Sequence, residues 1–214
     1  MRTYVCTFGY DSQRVTQTVV SNGLDDQDRV VLLRPADGGD NQRAADALTE
    51  VEQFLDEVAR GATVETVELP PTDFTTAVRE SVAVVDAADG ETIAVLGGGA
   101  REIFLPFAIA TLVCRDDLAE VVQFADTDRT LRQLSLPNLG ADVPERARST
   151  LSLVAEFDGP TTLPELVEAS DNSKSTLARH LDDLERVDVV ATSTDGQTRV
   201  VELTLSGELW LHGR

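Results

Sequence analysis

Two short segments of the 214-residue chain have the composition to hold an anion. Thr7-Phe8-Gly9-Tyr10-Asp11-Ser12 turns through one glycine from an apolar run into a helical pattern. Gly97-Gly98-Gly99-Ala100-Arg101-Glu102 sets three glycines ahead of an arginine. Glycine lets backbone N–H groups approach a phosphate closely, and arginine adds charge, so together the two read as a phosphate cradle for a nucleotide-like ligand. Neither is a dinucleotide fingerprint, because G-x-G-x-x-G is missing, and neither is a P-loop, because Gly-Lys-Ser/Thr is missing. Taken singly, each loop reads equally as a tight turn between strand and helix.

A third segment, Ser173-Lys174-Ser175-Thr176-Leu177-Ala178-Arg179-His180-Leu181, carries the only lysine of the chain. With Leu177, Leu181 and Leu184 facing inward, Ser175, Thr176 and Arg179 face outward, flanked by Lys174 and His180. Hydroxyls beside free amides at a helix N-terminus suit a phosphate, with Ser173 as the cap. Arg179 has the reach for a guanine edge or a phosphate in a major groove, and Arg199, near a hairpin tip, for the flanking backbone. The same residues read alternatively as the solvated face of a protein-interaction module.

Groups for covalent or acid–base chemistry are sparse. The two histidines, His180 and His212, both fall near the C-terminus, so neither Ser-His-Asp nor Cys-His arrangements can form in the first part. Cys6 and Cys114 sit in apolar runs and read as small core residues. Asp25-Asp26 and Asp116-Asp117 read as solvated surface. The sequence predicts no catalytic residue, no metal site and no cofactor.

The elements that must position these segments alternate. Thr3–Phe8, Arg29–Leu33, Thr63–Leu69, Thr92–Leu96 and Val121–Ala125 are expected strands. Between them, helices are expected around Val15, Val19 and Val20, around Ala44, Leu48, Val51, Leu55 and Val58, and from an Asp73 cap through Phe74, Ala77, Val78, Val82 and Val85. The segment Asp37-Gly38-Gly39-Asp40 reads as a turn. Ile103–Val113 is apolar almost all round, as for a helix at the centre of a core or beneath a second subunit; Pro106 places its start near Phe104 or puts a kink in it. Strand–helix alternation predicts a Rossmann-like α/β domain over 1–136, with a parallel sheet covered on both faces.

Pro137, Gly140 and Pro144 interrupt the periodicity, so 137–143 reads as a linker and 144–214 as a second domain. There a helix is expected over Glu145–Glu156. Thr162-Leu163-Pro164-Glu165 has capping-box spacing for a short helix through Ala169, and Asp171-Asn172-Ser173 caps a third. Val189–Thr194 and Thr198–Leu203 flank the hairpin signal Asp195-Gly196-Gln197. Helix, short helix, turn, helix, hairpin is the order of a winged helix-turn-helix.

Composition bounds the partners. Hydrophobic residues make up 42 % of the chain, enough for a packed core. No run approaches the ~20 apolar residues of a membrane span. MRTYVCTFGY reads as a strand with no secretory features, so a soluble, cytoplasmic protein is expected. Thirty-eight acidic residues against 18 basic give a net charge of −20, and the basic residues are seventeen arginines and one lysine. That balance suggests adaptation to molar intracellular salt, where the Debye length is about 3 Å and a negative surface barely repels a distant anion. Residues 144–214 hold seven basic and thirteen acidic residues, so DNA binding by ordinary counter-ion release is weakly supported by charge.

With Cys6-Thr7-Phe8-Gly9-Tyr10 after its first strand and Gly97-Gly98-Gly99-Ala100-Arg101 after its fourth, the first domain resembles a CARF domain, the CRISPR-associated Rossmann fold. Followed by a winged helix-turn-helix, the whole chain resembles the archaeal CARF–winged-helix transcription regulators of CRISPR loci. The resemblance implies a homodimer whose two CARF domains share a pocket for a cyclic oligoadenylate, commonly cyclic tetra-adenylate, and a second domain that binds double-stranded DNA. By position, Thr7, Phe8, Gly9 and Tyr10 would line one wall of that pocket, and Gly97, Gly98, Gly99, Arg101 and Glu102 the other. Ala100 stands where family members often carry a hydroxyl. The implied function is a ligand-responsive transcription regulator; a ring nuclease with a tethered winged helix and a protein-interaction module are the alternatives.

Overall fold

The computed structural model describes residues 1–36 and 42–213; the turn expected at Asp37-Gly38-Gly39-Asp40 lies outside them. Two units separate at Leu136/Pro137. The first runs β1 (Arg2–Thr7), α1 (Gln13–Ser21), β2 (Arg29–Pro35), α2 (Gln42–Val58), β3 (Thr63–Leu69), α3 (Phe74–Asp86), β4 (Glu91–Leu96), α4 (Arg101–Val113), β5 (Leu118–Phe124) and β6 (Leu131–Gln133). The strands form one sheet in the order β3-β2-β1-β4-β5-β6, parallel except for β6, which pairs antiparallel with β5. This is a Rossmann-like sheet, and its order reverses between β1 and β4.

Period-two burial explains the two layers. From β1, Tyr4 and Cys6 face α1 and α2, where Val15, Val19, Val51 and Leu55 cover them. Val5 faces the other way, with Leu33, Ala94, Ile103, Phe107 and Ala110 from the side of α3 and α4. Strands buried on both faces read as continuous apolar runs, which is why Val30–Leu33 and Ile93–Leu96 show no alternation. Edge strand β3 does alternate, and its Glu65 and Glu68 pair with Arg29 and Arg34 of β2. Asp73 caps α3, accepting from Thr76 N at 3.0 Å.

Helix α4 does not take the first of its two expected forms. It begins at Arg101 rather than near Phe104 and takes buried Pro106 into its interior. Its N-terminus is therefore set by the glycine run before it, not by the proline. Leu105 and Val113, 55 % and 66 % exposed, leave one apolar face open.

The second unit runs α5 (Arg148–Ala155), β7 (Thr161–Thr162), α6 (Leu163–Glu168), α7 (Lys174–Arg186), β8 (Val190–Asp195), β9 (Thr198–Leu203) and α8 (Leu205–His212), with a 3-10 turn at Glu145–Ala147. Its sheet is antiparallel in the order β7-β9-β8. The capping box forms: Thr162 accepts from Glu165 N, and the Glu165 carboxylate accepts from Thr162 N at 2.8 Å. Leu151, Leu166, Leu177, Leu181, Leu184 and Val201 fill the core. Residues 137–143, expected as a linker, pack into this unit: Val143 is buried, and Asn138 donates through its backbone N to Ser206 Oγ at 2.9 Å. Helix α8 was not anticipated from the sequence. Among the described residues no helix is long and apolar enough to cross a membrane.

Candidate functional site

The site is built on a single hydroxyl. Thr7, the last residue of β1, is buried, and its Oγ1 accepts from the backbone N–H of Gly97 at 3.3 Å and of Gly98 at 3.2 Å. Two amides expected to cradle phosphate are thus committed to the protein itself. The glycines answer to the same close approach. A Cβ on Gly9 would stand 2.9 Å from Gly99 Cα. Gly99 has φ +88°, and a Cβ there would stand 2.6 Å from the carbonyl oxygen of Phe8. The two loops meet in one seam where the strand order reverses, the place where open α/β sheets bind ligands.

Around that seam opens a cavity of about 1230 Å³. Thr7, Phe8, Gly9, Tyr10, Gly97, Gly98, Gly99 and Arg101 all line it. Glu102 does not: it follows Arg101 on α4, and the ~100° step of a helix turns it away. Arg101 is exposed and makes no ion pair among the described residues. Spacing alone had not pointed to Arg14, Arg34 and Arg43, which join it from α1, β2 and α2. Arg34 could have been found from its place at the carboxyl end of β2.

Each added arginine is already engaged. Arg34 pairs with Glu68 at 2.5 Å, and the Arg43 guanidinium lies 5.4 Å from the Tyr10 ring centroid. Arg14 donates to the Gly97 carbonyl at 2.8 Å and pairs with Asp11 at 3.3 Å and Asp126 at 2.9 Å. The lining sets four arginines against the carboxylates of Asp11, Glu68 and Asp126, with an aromatic at the rim, a polar and charged surface that suits a phosphorylated base better than a neutral apolar molecule. Nucleophilic chemistry is poorly served. Burial pushes the Cys6 thiol well above its ordinary pKa; burial and then Asp86 raise that of Cys114. Among the described residues, no group of three or more His, Cys, Asp or Glu is placed to hold a metal ion.

A model of the Csa3 CRISPR-associated Rossmann-like domain matches residues 2–130. The chain belongs to the Csa3 family. The matched span contains every strand of the Csa3 sheet up to the turn before β6. Among solved structures, Enterococcus italicus Csm6 bound to cyclic hexa-2'-fluoro-hexa-dAMP aligns with a TM-score of 0.50 and 12% sequence identity, covering 88% of this chain and 56% of that one. That similarity extends to the fold. An ArsR family transcriptional regulator aligns at a TM-score of 0.27 with 23% identity, over 35% of this chain and 82% of its own. No curated protein matches.

Outside the Csa3 domain, α7 carries the second group of candidates. Ser173 caps it, accepting from Thr176 N at 3.2 Å, with Ser175 Oγ and Thr176 Oγ1 at 3.0 and 2.9 Å. Lys174, Ser175 and Arg179 are exposed. His180 is turned inward instead: its Nδ1 lies 2.8 Å from Oγ1 of buried Thr150 on α5. Arg199 is held on α7 by Asp182 at 2.6 Å and Glu185 at 2.9 Å, rather than standing free at the hairpin tip. Among the described residues of this surface, Lys174 and Arg179 are exposed and make no ion pair.

Proposed function

We propose that the protein is a ligand-responsive, CRISPR-associated transcription regulator. Its first unit senses a cyclic oligoadenylate, with cyclic tetra-adenylate the expected ring; its second binds double-stranded DNA as a winged helix-turn-helix. The observation that carries the reading is the arginine-lined cavity at the reversal of a Csa3-type sheet. Ring binding by the distantly similar Csm6 supports the ligand class. Arg101, which makes no ion pair among the described residues, is the residue assigned to a ligand phosphate. The open apolar face of α4 supports a homodimer, in which a two-fold ligand shared between protomers biases the spacing of the two α7 helices on DNA half-sites. Ring cleavage is not part of the proposal: the first unit has no histidine to act as general base, and its thiols are held protonated by burial.

One observation favours a second reading of the C-terminal unit. Arg199 is neutralised by Asp182 and Glu185, which leaves little free positive charge for a nucleic acid, so the unit would dock a protein instead. Calorimetric titration of the full chain with cyclic tetra-adenylate, and fluorescence anisotropy with its own promoter DNA, both in molar potassium chloride, separate the possibilities. The expected result is one ring per dimer, lost in Arg101→Ala, and DNA binding lost in the Lys174→Ala/Arg179→Ala double variant. DNA affinity that ignores saturating ring would remove the coupling. A double variant that still functions would favour the protein-docking unit.

A further inference from the structure

Arg14 is a cavity arginine whose partners come from three separate places in the chain. Asp11 lies before α1, Gly97 follows β4, and Asp126 follows β5. The guanidinium also stacks over Phe124, 5.7 Å from the ring centroid. Gly98 provides its passage: a Cβ there would stand 2.7 Å from Nη1. Most of these contacts are fixed, because the Gly97–Gly98 segment is anchored by Thr7 and Phe124 is buried.

Asp126 differs. Its side chain is 71 % exposed against 41 % for Asp11, so of the two carboxylates paired with Arg14 it is the one more open to water and to a competing anion. It sits in the turn between β5 and β6, closed by Ala125 N to Thr130 O and by Arg129 N to Ala125 O, both 2.9 Å. Helix α1 grips this turn a second time, through Gln13, which accepts from Arg129 Nη2 at 2.6 Å. From the turn, the chain runs through β6 and within a few residues enters the second unit at Pro137.

We propose that Arg14 is a ligand-contacting residue that works by counter-ion exchange. A phosphate of the bound ligand takes its guanidinium from Asp126, which releases the β5–β6 turn at the root of the segment entering the second unit. The proposal rests on the reading of the cavity as a cyclic oligoadenylate site. It makes Asp126 a competitor of the ligand, so removing that carboxylate strengthens binding, opposite to the effect expected of a ligand-contacting residue.

The test is calorimetric titration of full-length wild type, Asp126→Asn, Arg14→Lys and Arg101→Ala with cyclic tetra-adenylate, together with hydrogen exchange over residues 125–133. Asp126→Asn should bind about two- to fivefold more tightly, the range of one exposed ion pair. Its turn should exchange fast without ligand, whereas the wild-type turn speeds up only when the ring is added. Arg14→Lys keeps the charge but cannot span three partners; it should bind more weakly and exchange fast. Unchanged or weaker binding by Asp126→Asn, or a wild-type turn indifferent to the ring, overturns the exchange while leaving the pocket reading intact. A wild type that binds no ring overturns that reading and the exchange with it.

Discussion

At Gly99 the backbone adopts φ +88°, and the nearest obstacle to a methyl group is a carbonyl oxygen, which cannot swing aside as a side chain can. Gly196, in the hairpin of the second unit, also has positive φ (+61°), but a Cβ there meets nothing within 4 Å. The two positions separate conformational strain from steric overlap. Gly196→Ala should cost about 1 kcal/mol, the strain of an L-residue in that region. Gly99→Ala should cost roughly 1–3 kcal/mol or more, since overlap adds to strain, and should abolish ring binding because it pries the seam apart. Urea unfolding of both variants checks the comparison. Equal costs would mean that the Gly9–Gly99 approach is looser than its geometry. Thr7 belongs at this scale as well: its hydroxyl supplies the acceptor that shapes the glycine run, a role that residue type and spacing did not reveal.

Among the elements, α7 is held to the 3-10 turn before α5 by charge as well as by leucines. The Asp183 carboxylate accepts from Arg146 at 2.7 and 3.0 Å and from Arg186 at 3.0 Å, and these hydrogen bonds, Arg146 first, hold it below the usual carboxylate range. A depressed folded pKa means that the stabilisation is complete above the unfolded value of about 3.9 and is lost as pH falls through the lower folded one. Asp183→Asn should therefore be less stable than wild type at pH 7, and the difference should shrink as pH falls below the unfolded value and through the lower folded one. Circular dichroism along an acid titration reads this directly; a gap that persists at low pH would assign the loss to packing. Most elements were legible because each long apolar run or three-and-four spacing reports its own burial. Strand β6 was not: Leu-Arg-Gln has no alternation and becomes a strand only through its pairing with β5. Helix α8 was missed because eight residues hardly display a period, although Thr204 caps it onto Gly207. The cavity arginines escaped for a related reason, since which residues face one another across a sheet edge is set by strand order rather than by spacing along the chain.

At the level of the whole molecule, a net charge of −20 opposes self-association at low salt, whereas the open face of α4 favours it. Sedimentation equilibrium in molar potassium chloride should find a dimer, and Leu105→Glu with Val113→Glu should give a folded monomer. If wild type is monomeric, α4 is not the interface. Salt that screens repulsion to permit such pairing also removes a general protection against aggregation, which leaves the sheet margins of the first unit to supply it. Those margins are β3 and β6. On β3, Glu65 and Glu68 stay partly exposed although each is tied to an arginine of β2, so an incoming strand would have to desolvate charge on that border. Strand β6 offers only three residues to copy. Neither margin is a long, flat, apolar template, so concentrated protein should stay free of fibrils in salt that has silenced its charge.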